Sequence, residues 1–190
     1  MKPSTANYIL TKVLGWTGAP EFPKSRKAVI LGVPHTSIWD FVISFLYARA
    51  NDAPMHIMVK DSLFFWPLGS LLRKWGAIPI KRDSASAGLN VILQTVEAFR
   101  TYDNIIIGIA PEGTRKPVKK WKSGYHAIAT RAGVPVYAGF INWKTKYVSF
   151  GDEFPLTDDA KADTLRLQRY YKTLDVGAKY PKDFAYDDEV

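Results

Sequence analysis

The sequence predicts a single α/β domain, with a mostly parallel or mixed central sheet flanked by helices. Strand-like and helix-like segments alternate along most of the chain, the order that builds parallel sheets through helical crossovers. Two runs, KAVILGV (Lys27–Val33) and NIIIGIA (Asn104–Ala110), are nearly continuous in apolar residues, as strands covered on both faces are. A length of 190 residues, 47% hydrophobic and 23% charged, suffices for one substantial core. No internal repeat, low-complexity stretch or linker divides it.

The elements follow in order. Ala6–Leu14 reads as a short amphipathic helix closed by Gly15, and Lys27–Val33 as the first buried strand. Ile38–Arg49 carries a helical pattern, Met55–Val59 a strand, and Ser62–Trp75 an apolar, aromatic helix interrupted at Pro67. Ala77–Ile80 is a short strand, Ala85–Tyr102 a long helix, and Asn104–Ala110 the clearest central strand. A helix over Gly124–Ala132 precedes the strand VPVYAGFI, Val134–Ile141, then KYVSFG, and Ala160–Leu174 forms the last helix.

Charge is uneven. The chain carries a net +8, but residues 1–150 hold 20 basic and 8 acidic side chains, leaving the last forty residues net acidic. Such a basic body attracts nucleic acid, an acidic membrane surface or a phosphorylated substrate, and charge alone does not choose among them. The absence of cysteine excludes disulfides and cysteine-ligated zinc and fits a reducing compartment. The N-terminus lacks the pattern of a signal peptide, and no apolar run of about 18 residues predicts a membrane-spanning helix.

In parallel α/β sheets, working groups gather where strands end and helices begin. His35, Arg82 and Glu112 all fall just beyond a predicted strand. In GVPHTSIWDF (Gly32–Phe41), His35 and Asp40 are five residues apart, which inside one helix would set them about 140° apart. Across a strand-to-helix turn, Asp40 can reach back to accept the Nδ1–H of His35 and leave Nε2 free as a general base. The same letters support a plainer role, because Ser37-x-x-Asp40 has the spacing of a capping box. Thr36 and Ser37 are nucleophile candidates only on paper, since neither sits in G-x-S-x-G. His56 and His126 read as structural, and no spacing among the histidines suggests a metal site.

A second cluster, APEGTRKPVKKWK (Ala110–Lys122), follows the central strand. Gly113 permits close backbone approach, and Arg115 offers a planar fork suited to phosphate. Glu112 either holds a substrate hydroxyl or fixes Arg115. Lys116, Lys119, Lys120 and Lys122 fit a solvated basic loop as well as an anion site. A third and weaker signal, GAIPIKR (Gly76–Arg82), delivers Lys81 and Arg82 to a strand end.

Taken together, His35-x4-Asp40, Gly76-x5-Arg82, Pro111-Glu112-Gly113-Thr114-Arg115 and Val134-Pro135-Val136 resemble, in order and rough spacing, the four blocks of the glycerolipid acyltransferases, typified by 1-acyl-sn-glycerol-3-phosphate acyltransferase. The resemblance runs from about Lys27 to Ile141, and its first and third blocks are the specific ones. It implies a glycerol-phosphate acyltransferase-like fold as one acyltransferase domain over 1–190: an amphipathic segment over 1–26, a catalytic core over 27–150 and an acidic C-terminal tail with one helix over 151–190. It implies that His35 is the base for an acceptor hydroxyl attacking an acyl thioester of coenzyme A or acyl carrier protein, and that Asp40 orients it. Arg82 and Arg115 match arginines associated with the acceptor phosphate, and Glu112, Gly113 and Thr114 the acceptor loop, with Lys81 beside them. The thioester is a co-substrate; no bound cofactor or metal is implied. The chain departs from the family pattern at Pro34 (usually asparagine), at Pro79 (usually aromatic) and near Ala138, where a second proline is common.

The expected acceptor is a lysophospholipid, 1-acyl-sn-glycerol 3-phosphate above others. A transacylase, an acyltransferase for another lyso-lipid, and a non-catalytic basic module binding membrane or nucleic acid are the alternatives. No nucleic-acid recognition motif accompanies the charge, so nucleic acid is not expected as a partner. Access to lipid implies a peripheral position on the cytoplasmic, inner face of a membrane. The N-terminal helix and SLFFWPLGSLLRKW (Ser62–Trp75) are the candidate contacts, and filling the core is the competing explanation for Leu63, Phe64, Phe65 and Trp66.

Overall fold

Five parallel strands form the centre of the molecule, in the spatial order β4 (Ala77–Ile80), β3 (Met55–Lys60), β5 (Ile105–Ile109), β2 (Lys27–Leu31) and β6 (Val136–Tyr137). The structure, a computed structural model, describes residues 1–190 apart from 21, 24 and 82–86 and the side chain at 87. The helices are α1 (Pro3–Tyr8), continued by a π-helical turn over Ile9–Val13, α2 (Ile38–Ala50), α3 (Leu68–Lys74), α4 (Ala87–Thr101), α5 (Gly124–Ala132) and α6 (Ala160–Thr173). A smaller sheet joins β1 (Thr17–Gly18), β8 (Tyr147–Ser149) and β7 (Phe140–Asn142).

The near-continuous apolar runs are explained by burial on both faces. Along β2 and β5, Val29, Leu31, Ile105 and Ile107 face one core, with Phe99 of α4, Ile128 of α5 and Leu167 and Tyr171 of α6. Ala28, Ile30 and Ile106 face the other, with Ile43, Leu46 and Tyr47 of α2 and Ala6 and Leu10 of the N-terminal helix. This is the period-two alternation of a strand, with both phases apolar.

Three expectations change in detail. The predicted strand Val134–Ile141 is two strands, β6 and β7, broken at Ala138–Gly139. There the chain crosses so close to β2 that a Cβ on Gly139 would lie 2.5 Å from the Leu31 carbonyl oxygen. The N-terminal segment spends its apolar face on the core, since Ala6 and Leu10 are fully buried. The acidic tail is likewise part of the fold, because Leu167 and Tyr171 of α6 are fully buried.

One junction positions the site. β2 pairs in register with β5, Leu31 opposite Ile109, so the turns that follow both strands emerge side by side. Beyond β2, α2 starts at a complete capping box of Ser37 and Asp40. The Ser37 hydroxyl accepts from Trp39 N at 3.2 Å. Replacing Ser37 with alanine should cost about 1 kcal/mol. In a chain of this size that lowers the melting temperature by roughly 2–4 °C. An unchanged melting curve would show that Asp40 alone holds the helix start.

Candidate active site

The site is built from the turns leaving β2 and β5. Asp40 is buried in the first turn of α2, and its carboxylate is fully engaged. Oδ2 accepts from the main-chain N–H groups of Thr36 and Ser37, each at 2.7 Å. Oδ1 accepts from the indole Nε1–H of Trp143 at 2.7 Å. Burial pushes the Asp40 carboxyl above its usual range, and these three donors oppose that shift.

The expected hydrogen bond from the His35 ring to Asp40 is not among those the structure makes. Asp40 has given its oxygens to the capping turn and to Trp143, so it acts on His35 through its charge. Burial lowers the His35 pKa below 6.5, the negative charge of Asp40 partly offsets this, and the guanidinium of Arg115 lowers it further. The imidazole is therefore neutral at neutral pH, the form that accepts a proton.

Glu112 ties the two turns together. Its Oε1 accepts from the main-chain N–H of His35 at 2.9 Å, while among the described residues nothing pairs with the buried Oε2. Burial raises its pKa to about 8, so a proton resides on this carboxyl at neutral pH. Gly113 makes the following turn at φ +65°, and a Cβ there would meet the Lys122 side chain at 2.8 Å. The flexible Lys122 chain could yield to such a Cβ, so it is the left-handed backbone that favours glycine here. Thr114 Oγ1 accepts from Lys116 N at 3.2 Å, shaping the loop that carries the exposed Arg115.

His35 and Asp40 line one cavity, between the sheet and α2. Its walls are largely apolar: Ile30, Leu31, Phe41, Ile57, Ile109 and Phe150. The sequence reading contains no such chamber, because its walls come from distant segments. It also missed Trp143, whose indole bond to Asp40 spans 103 residues, and the C-terminal segment beside it. There Tyr180 N donates to Thr36 Oγ1 at 3.3 Å, and Lys179 Nζ lies over the Trp143 ring, 4.3 Å from its centre.

Other assignments separate from this cluster. Thr36 and Ser37 are buried and engaged in the turn, so neither serves as a nucleophile. His56 Nδ1 bonds to Pro54 O at 2.7 Å and His126 Nε2 to Thr157 O at 2.8 Å, both structural. Lys81 stands at the end of the edge strand, its backbone gripped by Gln94. Three strand spacings, about 14 Å, part its strand from β2. Arg82 lies outside the described residues. Lys119 is paired with Asp188 at 2.6 Å. Among the described residues no group of three or more His, Asp or Glu is placed to hold a metal ion.

A parallel sheet delivering a neutral histidine and a buried aspartate to one apolar chamber, with the exposed Arg115 near enough to act on that histidine by its charge, suits transfer of an apolar group to a polar, anionic acceptor. In agreement, a family model described as Acyltransferase matches residues 16–141, and the chain belongs to that family. It is an acyltransferase. Among solved structures it is similar to that of the 1-acyl-sn-glycerophosphate (LPA) acyltransferase, PlsC, from Thermotoga maritima, with a TM-score of 0.59. Sequence identity is 16%, over 94% of this chain and 80% of that one, a likeness of fold. No curated protein sequence matches.

Glu112 makes a prediction about pH. Its pKa is about 8 in the fold against an ordinary 4.5. Between those values the native state keeps a proton that the unfolded chain releases, so stability falls as pH rises, by about 1.4 kcal/mol per unit from this group. Below 4.5 both states are protonated and above 8 the loss is complete. Glu112→Gln keeps an acceptor for His35 N–H without a titrating proton. Denaturant unfolding across this range should show the variant gaining on the native protein as pH rises. Parallel pH curves would overturn the assignment.

Proposed function

We propose that the protein transfers a fatty acyl group from an acyl thioester, carried by coenzyme A or acyl carrier protein, to the free hydroxyl of a lysophospholipid in phospholipid synthesis. The acceptor that best fits is 1-acyl-sn-glycerol 3-phosphate, met at the cytoplasmic face of a membrane. One observation carries this reading: a neutral His35, under the charges of Asp40 and Arg115, lines an apolar cavity large side chains leave open. The cavity, about 100 Å³, has room for the first carbons of an acyl chain beside His35, and Arg115 attracts an acceptor phosphate towards the base.

The reaction follows from that placement. A ring nitrogen of His35 takes the acceptor hydroxyl proton as its oxygen attacks the thioester carbonyl carbon. The tetrahedral intermediate collapses, the carbon–sulfur bond breaks, and the imidazolium returns the proton to the leaving thiolate. The products are an ester and a free thiol, and the histidine ends neutral as it began. Asp40 stabilises the imidazolium by its charge and holds the turn that aims it. The protonated Glu112 secures the same turn from β5 through the His35 main chain.

His35→Ala should lower thiol release with acyl-coenzyme A and lysophosphatidic acid by about 10²–10⁴-fold. The acid limb of the native kcat/KM profile should have its midpoint below 6.5, since the base form is lost as pH falls through the lowered pKa. Turnover that survives the substitution removes His35 from its role, and no turnover with any lyso-lipid favours a non-catalytic binding module.

Ser44 of α2 is a polar side chain on the cavity wall. Ser44→Phe should fill the chamber and reduce activity with long-chain donors at least tenfold more than with short-chain ones. Equal losses for both would place the acyl chain elsewhere.

A further inference from the structure

Several large exposed apolar side chains, the most exposed of them included, share one rim. Ile38 and Trp39 follow β2, Leu63, Phe65 and Trp66 follow β3, and Leu89 lies in the first turn of α4 after β4. All leave the C-terminal ends of parallel strands, the edge from which His35 and Glu112 also emerge. Gln94, two turns into α4, grips the backbone of Lys81, so the first turns of α4 project past the sheet edge. Trp66 is 85% exposed and Phe65 58%, so the aromatic segment does not fill the core, as one reading of the sequence allowed.

Basic side chains share this rim. Lys60 ends β3, Lys81 ends β4, and Arg115, Lys116 and Lys120 occupy the loop after β5; all are exposed. Asp61 is the acidic neighbour on the β3 turn, and its Oδ1 accepts from Ser62 N at 2.8 Å. Behind the aromatic tip, Arg73 lies over the Phe64 ring, 4.9 Å from its centre, fixing Phe64 while Phe65 and Trp66 stay outside.

We propose that the tip formed by Leu63, Phe65 and Trp66 inserts into the surface of an anionic phospholipid bilayer, with the basic rim on the headgroups. The proposal rests on the acyltransferase reading and deepens it by naming the contact surface. An indole and a phenyl ring beside cations suit the interface, where the ring enters the acyl boundary and the charge stays with phosphate. The rim is continuous with the turn that carries His35, so a lipid acceptor and a docked bilayer share one side of the molecule. The N-terminal helix, the other candidate, buries Ala6 and Leu10 in the core and leaves Tyr8 and Val13 outside, neither as exposed as Trp66.

The test is sedimentation with vesicles of phosphatidylcholine alone, and of equal parts phosphatidylcholine and phosphatidylglycerol. The native protein should bind the anionic vesicles, more weakly as salt rises, with a blue shift of tryptophan emission. A Phe65→Ser/Trp66→Ser protein should bind at least tenfold less, and Trp66→Phe should restore most of the loss. Circular dichroism and turnover of a short-chain, water-soluble acceptor should be unchanged in both. Equal vesicle binding by the double variant overturns the proposal, as does absence of native binding. Light scattering that shows a dimer dissolved by the same variant, without vesicle binding, assigns the surface to a second copy instead. Vesicle binding needs no chemistry: binding without turnover defeats the proposed reaction on a lyso-lipid, and turnover without binding defeats this proposal.

Discussion

The carboxylate of Asp40 is the joint on which the site depends. It is buried at the start of α2 and receives two backbone N–H groups from its own turn and an indole N–H from the far end of β7. Each donor offsets part of the cost of burying the charge. Together they fix the exit of β2, the axis of α2 and the position of β7 relative to one another. His35 sits inside the loop so fixed, and its orientation is a product of that geometry rather than of a direct bond to the carboxylate.

A second fastening runs across the sheet. The register of β2 against β5 places both exits at one level, and Glu112 then bonds across the gap to His35 N–H. A buried carboxyl can do this cheaply only when protonated, which its raised pKa provides. His35 is thus carried by two turns belonging to adjacent strands. Neither turn is free to move without breaking a hydrogen bond away from water, and such bonds are costly to leave unmade.

Much of the fold was legible in the sequence because its signals are local. The apolar runs of β2 and β5, the capping box at Ser37 and Asp40, and Gly113 after the central strand each carry their cause within a few residues. What was not legible depends on contacts distant along the chain. The break between β6 and β7 comes from the crossing of Gly139 over Leu31, and the partners of Asp40 include an indole 103 residues away. The spacing of His35 and Asp40 was compatible with a bond between their side chains. Three N–H donors claimed the acceptor capacity of Asp40, two of them from the very turn that produces the spacing. Lys81 was read as a site residue from its place after a strand, but strand order, which a sequence does not display, puts that strand at the edge.

The C-terminal segment gives the site a dependence that no motif would disclose. Gly177 O accepts from Trp143 N at 2.8 Å, Lys179 stacks on the indole that holds Asp40, and Tyr180 bonds to the turn beside His35. These positions belong structurally to the candidate site although they lie outside the matched family region, residues 16–141. A survey of variants sorted by distance along the chain would score substitutions at Lys179 or Tyr180 as remote, yet their effects should be inherited through the same turn as those at Asp40. For this acyltransferase the site is a folded neighbourhood, and its membership is written in space rather than in sequence order.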